Sequence, residues 1–250
     1  MAIVFCKEHR FETIEAVLFD KDGTLASVEP YLLALGSARV DAVEHLVPNV
    51  RADILKASGL RDGRQGAVGI DPAGLMAVGS RVENEIAAAA YIAAKGIGWV
   101  QALAIVKGAF DRATERLPEK VSQTPLLEGA IALIARLRAN KISVGIVSSD
   151  THAEVAAFVE HYALAVNWYC GAGGFGRFKT QAGFLDFACR EMGAMPSNTL
   201  VIGDSASDVA LSNQGAAGFI GMTGGWSVPP TFENSAATVS HLSQVQTSTE

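Results

Sequence analysis

The stretch "VLFDKDGTL", Val17 to Leu25, decides the reading of this chain: an apolar run ends in two carboxylates, Asp20 and Asp22, separated by one lysine. A short run of strand formers closed by Asp-x-Asp-Gly-Thr reads as a buried strand whose carboxyl end opens into a tight loop. Open α/β sheets keep their ligands at that edge, so the two aspartates are placed at the rim of a site. Taken alone, an Asp-Gly pair is an ordinary turn former, and the rest of the chain decides between the two readings.

Beyond that stretch, the residues from about Ser27 to Thr124 carry helical patterns with hardly any strand signal. Asp71-Pro72 reads as a helix start, Gly59 stops the helix "ADILKAS", and Pro118 ends "VQALAIVKGAFDRATERL". From Pro125 onward helix and strand alternate. "EGAIALIARLRANK" leads into the strand "ISVGIVSS", and "THAEVAAFVEHYA" opens on a capping box of Thr151 and Glu154. Then come the strand "NWYCG", the helix "TQAGFLDFACREMG" stopped by Gly193, the strand "NTLVIGDS" and the helix "SDVALSNQG". "AGFIGM" and "ATVS" close the series as short strands, and "QVQTSTE" reads as a disordered polar tail. Alternating strands and helices predict an α/β fold with a mostly parallel, Rossmann-like sheet. The first strand belongs to that sheet, so an all-helical domain at 26–121 interrupts a core made of 1–25 and 122–250.

At 250 residues with a net charge of -6 and no Lys/Arg cluster, the chain predicts no nucleic-acid partner. Cys6, Cys170 and Cys189 are odd in number and lie at no metal-ligand spacing, which predicts buried thiols in a reducing, cytoplasmic setting. "MAIVFC" is too short for a signal peptide's apolar region. The mean hydropathy is +0.25, yet the richest stretch, Glu85 to Phe110, is broken by Lys95, Gly96, Gly98 and Gln101. It reads as alanine-rich helices, and no membrane partner is expected.

Four predicted strands end in polar residues: Asp20-Lys21-Asp22-Gly23-Thr24, Ser148-Ser149-Asp150, the glycine loop leading to Lys179, and Asp204 with Asp208 in the next turn. In a parallel sheet these ends share one edge and can converge. Asp20, Asp22 and Asp204 would repel one another unless a hard cation sat among them, and Mg²⁺ is the natural occupant. Ser148 and Lys179 would then hold the oxygens of an anionic group. The set predicts phosphoryl-transfer chemistry.

With "LFDKDGTL", "IVSSD", Lys179 and "VIGDSASD" in that order, the chain resembles the haloacid dehalogenase superfamily across essentially its whole length. The helical block resembles that family's C1 cap, and the group most similar is that of the phosphoglycolate phosphatases and β-phosphoglucomutases. The resemblance implies Asp20 as nucleophile through an aspartyl-phosphate and Asp22 as the acid and base. It implies metal ligation by Asp20, Asp204, the backbone carbonyl of Asp22, and Asp208 directly or through water. Ser148, Ser149, Gly23 and Lys179 would bind phosphate, Ser148 and Lys179 also steadying the charged group in transfer. An acid at position 22 suits phosphate esters, since a carbon–halogen bond has no leaving oxygen to protonate. The partner implied is a small phosphorylated metabolite. A phosphomutase on the same scaffold, or a binding module without turnover, is the alternative.

The chain departs from the family pattern where Thr180, read as the N-cap of the next helix, follows Lys179 in place of proline. Lys21 and Lys141 are alternative lysines. Lys179 is preferred, because Lys21 in an extended segment would point away from its neighbours and Lys141 lies at the wrong end of its strand. "GAGGFG", Gly171 to Gly176, matches a dinucleotide fingerprint by letter. No helix start follows it directly, so it reads as a mobile loop that positions Lys179. Asp150 reads as a helix N-cap. Arg61, Arg64 and Arg81 are candidate substrate contacts in the cap, Trp99 reads as core, and Trp226 reads as loop packing.

Overall fold

The computed structural model describes residues 2–62, 68–232 and 237–249. The strands are β1 (Ala2–Cys6), β2 (His9–Phe11), β3 (Ala16–Asp20), β4 (Leu60–Asp62), β5 (Val68–Ile70), β6 (Ser143–Thr151), β7 (Trp168–Ala172), β8 (Thr199–Gly203), β9 (Gly218–Met222), β10 (Ala237–Val239) and β11 (Val245–Thr249). The helices are α1 (Glu29–Leu46), α2 (Arg51–Ser58), α3 (Leu75–Val78), α4 (Arg81–Ala93), α5 (Trp99–Glu115), α6 (Lys120–Gln123), α7 (Ala130–Ala139), α8 (His152–His161), α9 (Phe184–Met192) and α10 (Ala206–Ser212). They form two compact units, one of Met1–Val28 with Thr124–Glu250 and the other of Glu29–Gln123.

The larger unit is built on a six-stranded sheet in the order β10-β9-β8-β3-β6-β7, and every neighbouring pair in it is parallel. β3 and β8 are buried along their whole length. Such strands have helices over both faces and read as unbroken apolar runs, which is why "AVLFD" and "TLVIG" show no alternation. On one face Leu18, Val147 and Val201 pack with Phe184, Leu185, Ala188 and Cys189 of α9. The fit there is tight: a Cβ on Gly145 would lie 2.5 Å from Met192 Sδ. Cys6, Cys170 and Cys189 are buried free thiols.

Among its described residues, the second unit is helical apart from the short antiparallel ribbon β4–β5. α4 opens on a capping box of Ser80 and Glu83, and Gly59 closes α2 in the left-handed region with φ 73. Among the described residues no helix is long and apolar enough to cross a membrane.

Several local expectations are corrected. "QVQTSTE" is ordered through Thr249, since β11 pairs antiparallel with β1 in a three-stranded sheet completed by β2. Its partner lies at the opposite end of the chain, and Val245 is fully buried. Asp71-Pro72 forms a turn in which Asp71 Oδ1 accepts from the Ala73 N–H, and α3 starts later, after Gly74. Trp99 opens α5 at 47% exposure and is not core. Thr180 is no N-cap: residues 180–183 turn, and α9 starts from Gly183. The N-cap of α8 is Thr151, with the capping box to Glu154 in place, and not Asp150.

Candidate active site

The sheet register assembles the site. Asp20 is paired with Val147 on β6, and Phe19 is paired with Ile202 on β8. Ser148 and Asp204 therefore follow on either side of the point where the chain leaves β3. β6 is irregular between Val147 and Thr151, which turns Ser148, Ser149 and Asp150 out of the regular ladder. Beyond β8 the chain turns into α10, where Ser205 and Asp208 form a capping box. Asp208 packs on Gly203 so closely that a Cβ there would meet its Cγ at 2.3 Å.

Oxygens of Asp20, Asp204 and Asp208 lie within 4.8 Å of one another, and all three residues are buried. Lys179 reaches this cluster from beyond β7. Its Nζ donates to Asp20 Oδ1 at 2.6 Å and to Asp208 Oδ1 at 3.0 Å, with the lysine 7% exposed. Oδ2 of Asp208 accepts from the N–H and the hydroxyl of Ser205 at 3.0 and 2.6 Å. Asp204 is held from two sides, by Thr24 Oγ1 at 3.1 Å and by the Trp226 indole at 2.6 Å.

With all three carboxylates ionised, one lysine would leave the cluster negative. Like charges 4.8 Å apart repel by about 3 to 4 kcal/mol per pair at an effective dielectric near 20. Burial pushes the Asp20 carboxyl well above the usual carboxylate range, and Asp208 and Asp204 reinforce this against the opposing pull of Lys179. Burial, then Asp208, pushes Asp204 up to about 7. Burial works against the Lys179 ammonium, but Asp20 and Asp208 outweigh it and hold the lysine protonated. The donors are all hard oxygens, which fits a small divalent cation such as Mg²⁺.

The Asp22 carboxylate lies apart from that cluster, on Lys21 Nζ, and the same ammonium meets Asp150 Oδ2 at 2.9 Å. Lys21 thus does not point away from its neighbours, and Asp150 serves as its counterion. Ser148 is buried and its hydroxyl accepts from the Asp150 N–H at 3.1 Å; half-buried Ser149 lies between them. Gly23 has φ 82, and its N–H donates to Ala26 O at 2.9 Å within the loop. A Cβ there would sit 2.3 Å from the Trp226 indole nitrogen, so this glycine is required for close approach. The glycine stretch ends in a single 3₁₀ turn, Gly174–Gly176, ahead of Lys179. Lys141, at φ 60, leads into the opposite end of β6.

In the second unit Arg81 is committed to Glu85 at 2.8 Å and Asp111 at 2.6 Å. Arg61 lies against Gly69, and Arg64 falls outside the described residues. Sequence reasoning missed Trp226 as a partner of Asp204. Its one local signal is the pair Gly224-Gly225, where a Cβ on Gly225 would fall 1.8 Å from Gly23 O.

A buried aspartate at the carboxyl end of a central parallel strand, with a lysine and two further acids, sits on the sheet edge where an α/β fold keeps its ligands. The haloacid dehalogenase-like hydrolase family model matches residues 14–213, and the chain belongs to that family. Its fold is similar to that of a predicted phosphoglycolate phosphatase from Haemophilus somnus 129pt, at 15% identity and TM-score 0.64 over 92% of this chain and 95% of the other. A candidate haloacid dehalogenase-like hydrolase from Bacteroides fragilis matches at 18% identity and TM-score 0.62, over 92% and 99%. A candidate β-phosphoglucomutase from Thermotoga maritima matches at 15% and 0.56, over 92% and 96%. No curated protein sequence matches this chain.

Proposed function

We propose that the protein is a Mg²⁺-dependent phosphatase that hydrolyses a small phosphomonoester, of the phosphoglycolate or sugar-phosphate kind, through an aspartyl-phosphate on Asp20. The observation that carries this is buried Asp20, with Oδ1 on Lys179 at 2.6 Å, inside a cluster of three carboxylates. Asp20, Asp204 and Asp208, with the backbone carbonyl of Asp22, would hold the cation. When bound, it would neutralise the acids and polarise a phosphoryl oxygen.

The steps belong to the protein's own side chains. A carboxylate oxygen of Asp20 attacks phosphorus, and the bond to the leaving oxygen breaks with its electron pair going to that oxygen. Asp22 supplies the proton the leaving oxygen takes up. Water then attacks the same phosphorus and passes a proton to Asp22. The bond to Asp20 breaks and its pair restores the carboxylate. Lys179, Ser148 and Ser149 hold phosphoryl oxygens while charge develops, and Gly23 lets the loop backbone approach. The three free thiols suit a reducing cytoplasm.

The test is a panel of phosphorylated two- and three-carbon acids and sugar phosphates, assayed for phosphate release with Mg²⁺ and with excess chelator. Metal-dependent release from at least one, absent in Asp20→Asn, is expected. Release that survives both chelation and that substitution overturns the proposal.

A further inference from the structure

Among the described residues of the larger unit two lysine ammonium groups are buried, and each bridges a different pair of carboxylates. Lys179 joins Asp20 to Asp208, whereas Lys21 joins Asp22 to Asp150. Lys21 is 1% exposed, and its Nζ also sits 5.1 Å from the ring centre of buried Phe158 on α8. Burying a flexible lysine is unfavourable unless its charge is paired and its stem packed. Both conditions are met here, so the ammonium is fixed in direction. The loop backbone is fixed as well: Lys21 O accepts from the N–H groups of Leu25 and Ala26, both at 2.9 Å.

Resting on the reading of Asp22 as proton carrier, we propose that Lys21 is a positioning residue for the second half-reaction, and that Asp150 is its anchor. The salt bridge sets the direction of the Asp22 side chain and keeps it apart from the acidic cluster around Asp20. Hydrolysis then balances as follows: water oxygen bonds to phosphorus, its proton goes to Asp22, and the Asp20–phosphorus bond breaks with its pair returning to Asp20. Asp150 keeps Lys21 in place while Asp22 leaves and returns. The residue between the paired aspartates is thereby given a role in turnover, and Asp150 a role other than helix capping.

The test separates the two half-reactions by rapid quench with an activated aryl phosphate, whose leaving group needs little protonation, followed by intact-protein mass measurement. Asp22→Asn is the reference, with phosphoenzyme hydrolysis slowed by about 10² to 10⁴. Lys21→Met should form phosphoenzyme within about threefold of the unsubstituted rate and hydrolyse it at least about tenfold more slowly, since loss of a base's alignment forfeits part of that range. Asp150→Asn, which keeps the side chain's shape, should shift hydrolysis in the same direction by a smaller factor, and it covers the case of Lys21→Met failing to fold. Equal losses in formation and hydrolysis, or unchanged hydrolysis in Asp150→Asn, overturn the role of Lys21. If no phosphoenzyme forms even in Asp22→Asn, the aspartyl-phosphate reading itself fails, and this inference with it.

Discussion

The indole N–H of Trp226 donates to Oδ2 of Asp204 at 2.6 Å, so a loop following β9 orients an acid at the end of β8. Partners that orient a metal ligand commonly alter affinity by about 10- to 100-fold when removed. Trp226→Phe keeps the packing and deletes the donor. It should weaken Mg²⁺ binding at least about tenfold, read by titration calorimetry, in a protein that still unfolds cooperatively. Unchanged affinity would show that Thr24 alone orients Asp204.

Gly23 combines a left-handed backbone with a close approach to its neighbours in the site. A side chain at φ 82 costs about 1 to 2 kcal/mol, and its Cβ would also meet the Trp226 indole and Asp204. Gly23→Ala should lower unfolding free energy by more than about 2 kcal/mol in urea titration. A loss well below that would mean the loop relaxes freely.

Stability should respond to pH and metal together. Asp204 is pushed up to about 7 by burial and then by Asp208. Between the ordinary carboxylate range and about 7, the folded protein holds a proton that the unfolded chain has released. This group's contribution to metal-free stability therefore falls as pH rises through that window. A cation competes with that proton, so Mg²⁺ should raise Tm more at about pH 8 than at about pH 5.5. Asp204→Asn should flatten the difference. Equal shifts at both pH values would show that the Asp204 proton does not compete with the cation.

Ordering of the carboxyl terminus predicts that it contributes to stability. β11 covers β1, Arg136 donates to the Val245 carbonyl, and Asn140 Nδ2 donates to Thr247 Oγ1 at 2.8 Å. Ending the chain at Gln244 should lower Tm by several degrees while leaving Mg²⁺ affinity of the folded fraction unchanged. A Tm equal to that of the full chain would show the strand to be dispensable.

The parts legible in the sequence were those written locally. Asp20, Asp204 and the Ser148 pair each end a short apolar run, and strand ends on one sheet edge meet wherever the strands are parallel. Capping at Thr151 and the stop at Gly193 depend on neighbours within four residues, and both are read directly. The rest depends on partners far along the chain. β11 is polar on its own and becomes a strand because β1 offers a buried edge. Lys21 looked like an outward residue in an extended segment, and the partner that buries it, Asp150, lies on the next strand. Asp150 and Thr151 both have N-cap chemistry, and the ion pair with Lys21 separates them. The Trp226–Asp204 bond joins two loops and leaves only a pair of glycines as its trace.

In the proposed reaction Asp20 carries the phosphoryl group. Asp22→Asn protein mixed with an activated aryl phosphate and Mg²⁺, quenched in acid, digested and mapped by mass spectrometry, tests it most directly. One phosphoryl group is expected on the peptide spanning Val17 to Leu25, located at Asp20 and absent when Asp20→Asn is added. A phosphoryl group on residue 22 or elsewhere, or one that persists without Asp20, would contradict it.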